Sequence, residues 1–369
     1  MSGWPRPDEP SGEITLILDQ RSTLDRKADL RDGLSAIARQ GSHLWVANDE
    51  TTSLERLTLE NGDHARAHRS FDLTRLLDLP GNRGELDIEG LDVDNDTLWL
   101  VGSHSSARKQ VKGNAPPAEA QKSLATVEVS QRRRVLARLS TKTLLEPGKT
   151  HLDAGSSTTD QPQRPAALGL GRSEDLVDLL ADDPHLGGFI QCSQTGTHPI
   201  PGKENGIDCE GLAVAGDRVF IGLRGPVLRG WAMIIELKVD GGPGIEPQPI
   251  GPGSRRYRKH LLRLDGLGVR DLCRHGDDLL VLAGPTMELD GRAAVFRWRQ
   301  ALTSQAEAVL QKGDLQCEFD APFGKGDDHA EGITVLDDGR SALVLYGSPA
   351  GKRKTGRHGI KADVFQLGK

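Results

Sequence analysis

No run of about 18 apolar residues occurs in this chain, which argues against a membrane-spanning helix. The first ten residues, Met-Ser-Gly-Trp-Pro-Arg-Pro-Asp-Glu-Pro, lack the apolar centre of an export signal. Basic charge is not in excess: 47 Lys and Arg face 53 Asp and Glu, a net charge of −6. That balance argues against a general nucleic-acid or anionic-membrane surface. Two basic clusters, Arg108-Lys109-Gln110-Val111-Lys112 and Arg132-Arg133-Arg134, flank a loop with Pro116-Pro117 and read as solvated surface before they read as phosphate sites. The four cysteines, Cys192, Cys209, Cys273 and Cys317, show no C-x-x-C spacing, so structural thiols are expected rather than disulfides or metal ligands. Familiar catalytic signatures are missing too: there is no G-x-S-x-G elbow, H-E-x-x-H, P-loop or dinucleotide fingerprint. A soluble, cytoplasmic protein with no nucleic-acid or membrane partner is the expectation.

What is present is a repeat. Five times an acidic or acid-flanked residue opens a short apolar strand, a polar turn follows, and a second strand runs into a polar, Gly- or Pro-marked end. The openings are Asp32-Gly33-Leu34, Asp87-Ile88-Glu89-Gly90-Leu91, Asp208-Cys209-Glu210-Gly211-Leu212, Val269-Arg270-Asp271-Leu272 and His329-Ala330-Glu331-Gly332-Ile333. With Gly33, Gly90, Gly211, Asp271 and Gly332 taken as equivalent, the steps are 57, 121, 60 and 61 residues. A repeat of this period is the signature of a toroidal β-propeller with four-stranded blades.

Turns such as Asp94-Asn95-Asp96, Gly216-Asp217-Arg218 and Asp337-Asp338-Gly339 supply the local bonds and left-handed angles of tight hairpins. Third strands are expected near residues 54–59, 135–139, 232–239 and 293–298, and fourth strands near 66–71, 260–264 and 316–319. Residues 14–18 and 362–366 are apolar segments at the two ends, able to pair in one blade and close the ring without an exposed edge.

The long step has two explanations, a degenerate sixth blade near residue 150 or an insertion. Residues 141–206 carry no alternating apolar run, but a helical pattern at Leu176, Val177, Leu179 and Leu180 follows Ser173-Glu174-Asp175. The reading is therefore an all-β, single five-bladed propeller over residues 14–369 with a helix-containing insertion at 141–206 and a flexible tail at 1–13; six blades is the alternative.

In a blade the innermost strand borders the central channel and the second runs back beside it, so the start of one and the end of the other share a face. That brings Asp32, Asp87, Glu89, Asp208, Glu210, Asp271, Asp328 and Glu331 toward one mouth, with Asn48, Asp49, His104 and Arg224 from the second-strand ends. Carboxylates crowded in this way repel or take up protons unless a cation is present, and hard oxygen ligands suit calcium better than magnesium here. The expected metal ligands are Glu89, Glu210, Asp271 and Glu331. His104, or less directly His329, would carry a proton, with Glu210 also catalytic; Arg224, Arg270, Lys203 and Asn205 would bind substrate. The competing structural role is an acid that accepts backbone N–H groups and locks neighbouring blades, with Gly needed only for close approach.

The runs Lys203 to Leu212, Ile221 to Pro226 and Gly266 to Leu272 together resemble an uncharacterised bacterial domain-of-unknown-function family over most of the chain. More distantly, the recurring Glu-Gly units resemble the esterase-like, phytase-type propellers. That second resemblance implies a calcium-dependent hydrolase of esters or phosphoesters, acting on a small anionic molecule. The alternative is a non-catalytic propeller whose acidic mouth binds a ligand or protein segment.

Overall fold

The computed structural model describes residues 5–19, 29–60, 62–79, 84–145, 165–169, 174–194, 199–242 and 244–368. Strands dominate and pair in antiparallel units that follow the chain. The first unit runs Leu34–Gln40, His43–Asn48, Ser53–Glu60 and His64–Asp72. The second is Ile88–Asp94, Thr97–Gly102, Val135–Ser140 and Ala166–Gly169. The third is Asp208–Ala215, Arg218–Leu228, Trp231–Val239 and Arg258–Leu262. Next come Gly268–His275, Asp278–Gly284, Ala293–Trp298 and Gln316–Ala321. The last unit joins His329–Val335, Ser341–Gly347 and Gly359–Gln366 to the N-terminal strand Gly12–Ile17.

The two ends of the chain meet in that last unit. Gly12–Ile17 lies antiparallel to Gly359–Gln366, with Gly12 opposite Val364, and touches His64–Asp72 in parallel through Thr15 and His64. The pairing covers strand edges that would otherwise be open. Residues before it are tied down as well: Asp8 Oδ2 accepts from Asp320 N at 2.8 Å. The innermost strands touch in cyclic order, from Leu34–Gln40 through Ile88–Asp94, Asp208–Ala215, Gly268–His275 and His329–Val335 back to the first.

The apolar core lies between consecutive units. Trp45 and Leu54 pack with Leu91 and Leu100, Trp99 and Leu136 with Leu212 and Ile235, and Phe220 and Ile234 with Leu272 and Phe296. Leu282 and Val295 meet Ile333 and Tyr346, and Leu343 and Ile360 meet Ile37 and Val46. Each sheet thus buries both faces, and each fully buried aliphatic side chain stabilises by about 1.5–3 kcal/mol. Tight turns use left-handed residues between the first two strands, as at Gly216 (φ 63°) and Asn95 (φ 53°).

Two segments depart from the repeat. Between Thr97–Gly102 and Val135–Ser140 a hairpin, Ser106–Arg108 with Val127–Val129, carries the helix Pro117–Leu124. Within residues 141–206 the helices Leu176–Leu179 and Gly187–Gln194 form, the first capped by Asp175 in a reciprocal capping box with Asp178. One strand, Ala166–Gly169, forms in this stretch without an alternating run and pairs with Val135–Ser140. Its Ala-Ala-Leu-Gly sequence is too short and too small to display alternation; tertiary pairing makes it a strand. The Gly155 to Arg164 stretch and Ser173 lie outside the described residues. All four cysteines are free, Cys209 buried and Cys192 and Cys317 exposed. Among the described residues no helix is long and apolar enough to cross a membrane.

Candidate functional site

Each innermost strand breaks its ladder near its start, Asp208–Ala215 twice. The irregularity falls between Leu34 and Ala36, Ile88 and Gly90, Cys209 and Leu212, Val269 and Asp271, and Ala330 and Gly332. A bulge leaves a residue unpaired and re-aims its side chain. The residues set free are Ser35, Glu89, Glu210, Arg270 and Glu331, and all of them line one cavity of about 140 Å³ at the ring's centre. Asp32, Asp49, Lys203, Arg224 and His329 line it as well.

The glycines beside these bulges let the inner strands approach. A Cβ on Gly211, whose φ is +84°, would sit 2.6 Å from Asp271 Cα, and one on Gly90 would sit 2.9 Å from the Gly211 carbonyl carbon. Gly33 has a different duty: a Cβ there would lie 2.5 Å from Asp49 Oδ1. The structural equivalent of Gly90 in the first unit is therefore Ala36, not Gly33, because the bulge places Ser35 opposite the other bulged residues.

One half of the cavity is internally paired. Arg224 Nη1 donates to Glu210 Oε1 at 2.7 Å and lies 3.6 Å from Asp208 Oδ2, while its Nε donates to the Thr286 carbonyl at 3.0 Å. Arg270 Nε stands 2.9 Å from Glu210 Oε2 and the same guanidinium bonds Glu331. Burial pushes the Asp208 carboxyl up to about 7 even though Arg224 opposes the shift. Burial also draws the Arg270 guanidinium down, against the pull of Glu210.

On the other side Asp49 and Glu89 line the cavity with no arginine paired to either among the described residues, and Asp87 stands beside them. One oxygen each of Asp49, Asp87 and Glu89 lies within 4.8 Å of the others. Asp49 follows the strand His43–Asn48; Asp87 precedes Ile88–Asp94 in a left-handed conformation (φ 52°). Asp87 Oδ2 accepts from Ser103 Oγ at 2.5 Å and lies 3.3 Å from Arg133 Nε. Glu89 accepts no hydrogen bond among the described residues. Burial, then the charge of Asp87, pushes Asp49 up to about 7, with Lys203 opposing. Burial followed by the charge of Glu210 raises Glu89 well above the ordinary carboxylate range. Three hard oxygen donors at this spacing, each disfavoured as a bare anion, match what a divalent cation takes.

The structure brings Glu89, Glu210, Glu331, Arg224, Arg270 and Lys203 together as the repeat implied, and leaves three expected residues elsewhere. Asp271 is completely buried between blades: its Oδ2 accepts from Ile333 N at 2.7 Å and its Oδ1 from Leu272 N at 2.8 Å. It is a lock and not a metal ligand, because the bulge turns Arg270 inward in its place. Asp92 does the same between other units, accepting from Val214 N at 2.7 Å. His104 is buried with Nδ1 2.8 Å from the Gly102 carbonyl, beside Arg134 and Asp175 and away from the cavity, so the proton-transfer role expected of it is corrected. Asn205 is a turn residue whose Oδ1 accepts from Val227 N at 2.8 Å. Glu210 and Glu331 reach the cavity but are engaged by arginine. The sequence reading placed Asp49 and Asp87 at the mouth without choosing them as ligands; their signal was adjacency across units, a strand end beside the next strand start.

An all-β, propeller-like fold with polar residues of distant sequence origin around one central cavity is thus the class of protein seen here. The chain belongs to the family described as protein of unknown function DUF3616, whose pattern matches residues 33–363. No curated protein matches it. Among solved structures it is similar to the glutaminyl cyclase of Myxococcus xanthus, at 10% identity and TM-score 0.40, covering 98% of this chain and 100% of that one. It is similar also to a streptogramin B lyase, at 8% identity and TM-score 0.34 over 91% and 94% of the two chains. A β-propeller domain from Myceliophteria thermophila matches at 10% identity and TM-score 0.32 over 91% and 84%.

Proposed function

We propose that this is a five-bladed propeller, related in mechanism to the phytase-type group, that hydrolyses a small anionic ester with the help of a divalent cation, calcium before magnesium. The observation that carries the proposal is the Asp49, Asp87 and Glu89 cluster at the cavity, with Glu89 free of any protein hydrogen bond among the described residues. These three replace the set Glu89, Glu210, Asp271 and Glu331 as the ligands. A cation bound there supplies a lowered water pKa and offsets negative charge in the transition state. Lys203 is the side chain left to attract the substrate's charge, since Arg224 and Arg270 are held by Glu210, Asp208 and Glu331. His329 lines the cavity and takes the proton-carrying role.

A second reading, a binding module without turnover, is favoured by that same saturation of the arginines: a cavity whose cations are neutralised is poorly equipped for an anion. Metal analysis of chelator-treated and reloaded protein, followed by a panel of phosphoesters and carboxyesters, separates the two. Metal-dependent turnover that disappears in Glu89→Gln with the fold retained supports the enzyme. Binding without turnover across the panel favours the module.

A further inference from the structure

Large apolar side chains stand open to solvent beside the charged cavity. Met287 is 44% exposed and Leu289 61% exposed, yet both line the same cavity as Glu89 and Lys203, together with Pro285 and Phe323. Met287 and Leu289 belong to the segment that leaves the strand Asp278–Gly284, and Phe323 follows the strand Gln316–Ala321. A backbone bridge between Met287 and Glu204 ties that segment across to the turn carrying Lys203, and Leu289 N donates to the Met287 carbonyl at 2.7 Å. The lip is therefore fixed in position over the acids, not folded into the core.

We infer that the ligand of this cavity is an anionic ester carrying an apolar alkyl or aryl group, its charged end inside and its apolar group against Met287, Leu289 and Phe323. The identification of the charged end rests on the cation reading above. A cavity of about 140 Å³ is close to the size that takes a benzene ring, so a charged head with its first carbons fills it and a longer apolar group lies along the lip. Apolar surface already exposed at the lip gains from being covered, and each buried methylene improves affinity by about fourfold when fully enclosed.

The test is calorimetric titration of the full chain with methyl, butyl and hexyl phosphate, in calcium and in chelator, for the natural protein and the Met287→Ser/Leu289→Ser double variant. Both substitutions lie at exposed positions, and circular dichroism checks that the fold is kept. The dissociation constant is expected to fall about two- to fourfold per added methylene in the natural protein. In the variant that gradient should flatten, with methyl phosphate binding equally well to both proteins. A flat series in the natural protein, or an unchanged gradient in the variant, overturns the lip; metal-dependent methyl phosphate binding would then leave the cation reading standing. A gradient that calcium does not affect keeps the lip and removes the cation. Failure of every phosphate to bind removes both, and a gradient confined to the n-alkylamines, run as a control in chelator, overturns the anionic assignment.

Discussion

Replacing Asp49 by Asn should stabilise this protein in the absence of metal, and the effect should depend on pH. The Asp49 carboxyl is pushed from its ordinary 3.8 up to about 7 by burial and by Asp87. A carboxylate whose folded pKa is raised adds no penalty below about pH 4, where it is protonated folded or unfolded. The penalty grows between about 4 and 7 and is complete above 7. At 1.36 kcal/mol per pKa unit, a shift of about three units corresponds to about 4 kcal/mol. Local relaxation and water reduce this, and about 2 kcal/mol is the expected gain for Asp49→Asn at pH 8 in chelator. Urea unfolding of both proteins at pH 5 and pH 8 reads the difference directly. With calcium at a hundredfold excess over its dissociation constant, the natural protein should gain about 2.7 kcal/mol and the variant much less. A variant less stable than the natural protein at pH 8 in chelator, or one with the same change from pH 5 to pH 8, refutes the reasoning.

Other outcomes follow from the locks and close approaches. Asp271→Ala strands the Ile333 and Leu272 amides in the interior and should cost about 2–4 kcal/mol in urea unfolding, while Asp271→Asn costs less and neither alters calcium binding. Gly211→Ala combines a left-handed φ with a Cβ 2.6 Å from Asp271 Cα, so a loss of about 3 kcal/mol or failure to fold is expected, measured as soluble yield and thermal midpoint. Arg224→Met leaves buried Asp208 without its partner and Glu210 with Arg270 alone, a loss of about 3–5 kcal/mol at pH 8. That loss should shrink as pH falls below about 7 and Asp208 takes up a proton, and a pH-independent loss would contradict the pairing.

The strand order was legible because each unit carries its own alternation and turn chemistry, and ring closure because one apolar segment stands before the first unit and another follows the last. Convergence of Glu89, Glu210 and Glu331 was legible as well, since the Glu-Gly pairs repeat. Finer assignments failed at the bulges. One extra residue reverses which side a position faces, so Arg270 points to the cavity and Asp271, aligned with the repeated glycines but expected as a ligand for its carboxylate, into the blade interface. Gly33 was aligned by its residue type, while the ladder sets Ser35 and Ala36 at the repeated position. His104 follows a strand end as expected, but its left-handed backbone (φ 55°) accompanies a side chain held by the Gly102 carbonyl. The Asp49, Asp87 and Glu89 cluster joins two units, and a repeat read one unit at a time does not reveal such a junction.

The most direct measurement is anomalous scattering from crystals loaded with manganese as a calcium stand-in, with a chelated crystal as reference. A single strong peak is expected at the cavity within coordination distance of the Asp49, Asp87 and Glu89 carboxylates, absent in Glu89→Gln. A loaded crystal with no peak there, or with its strongest peak on another surface of the ring, would contradict the cation reading.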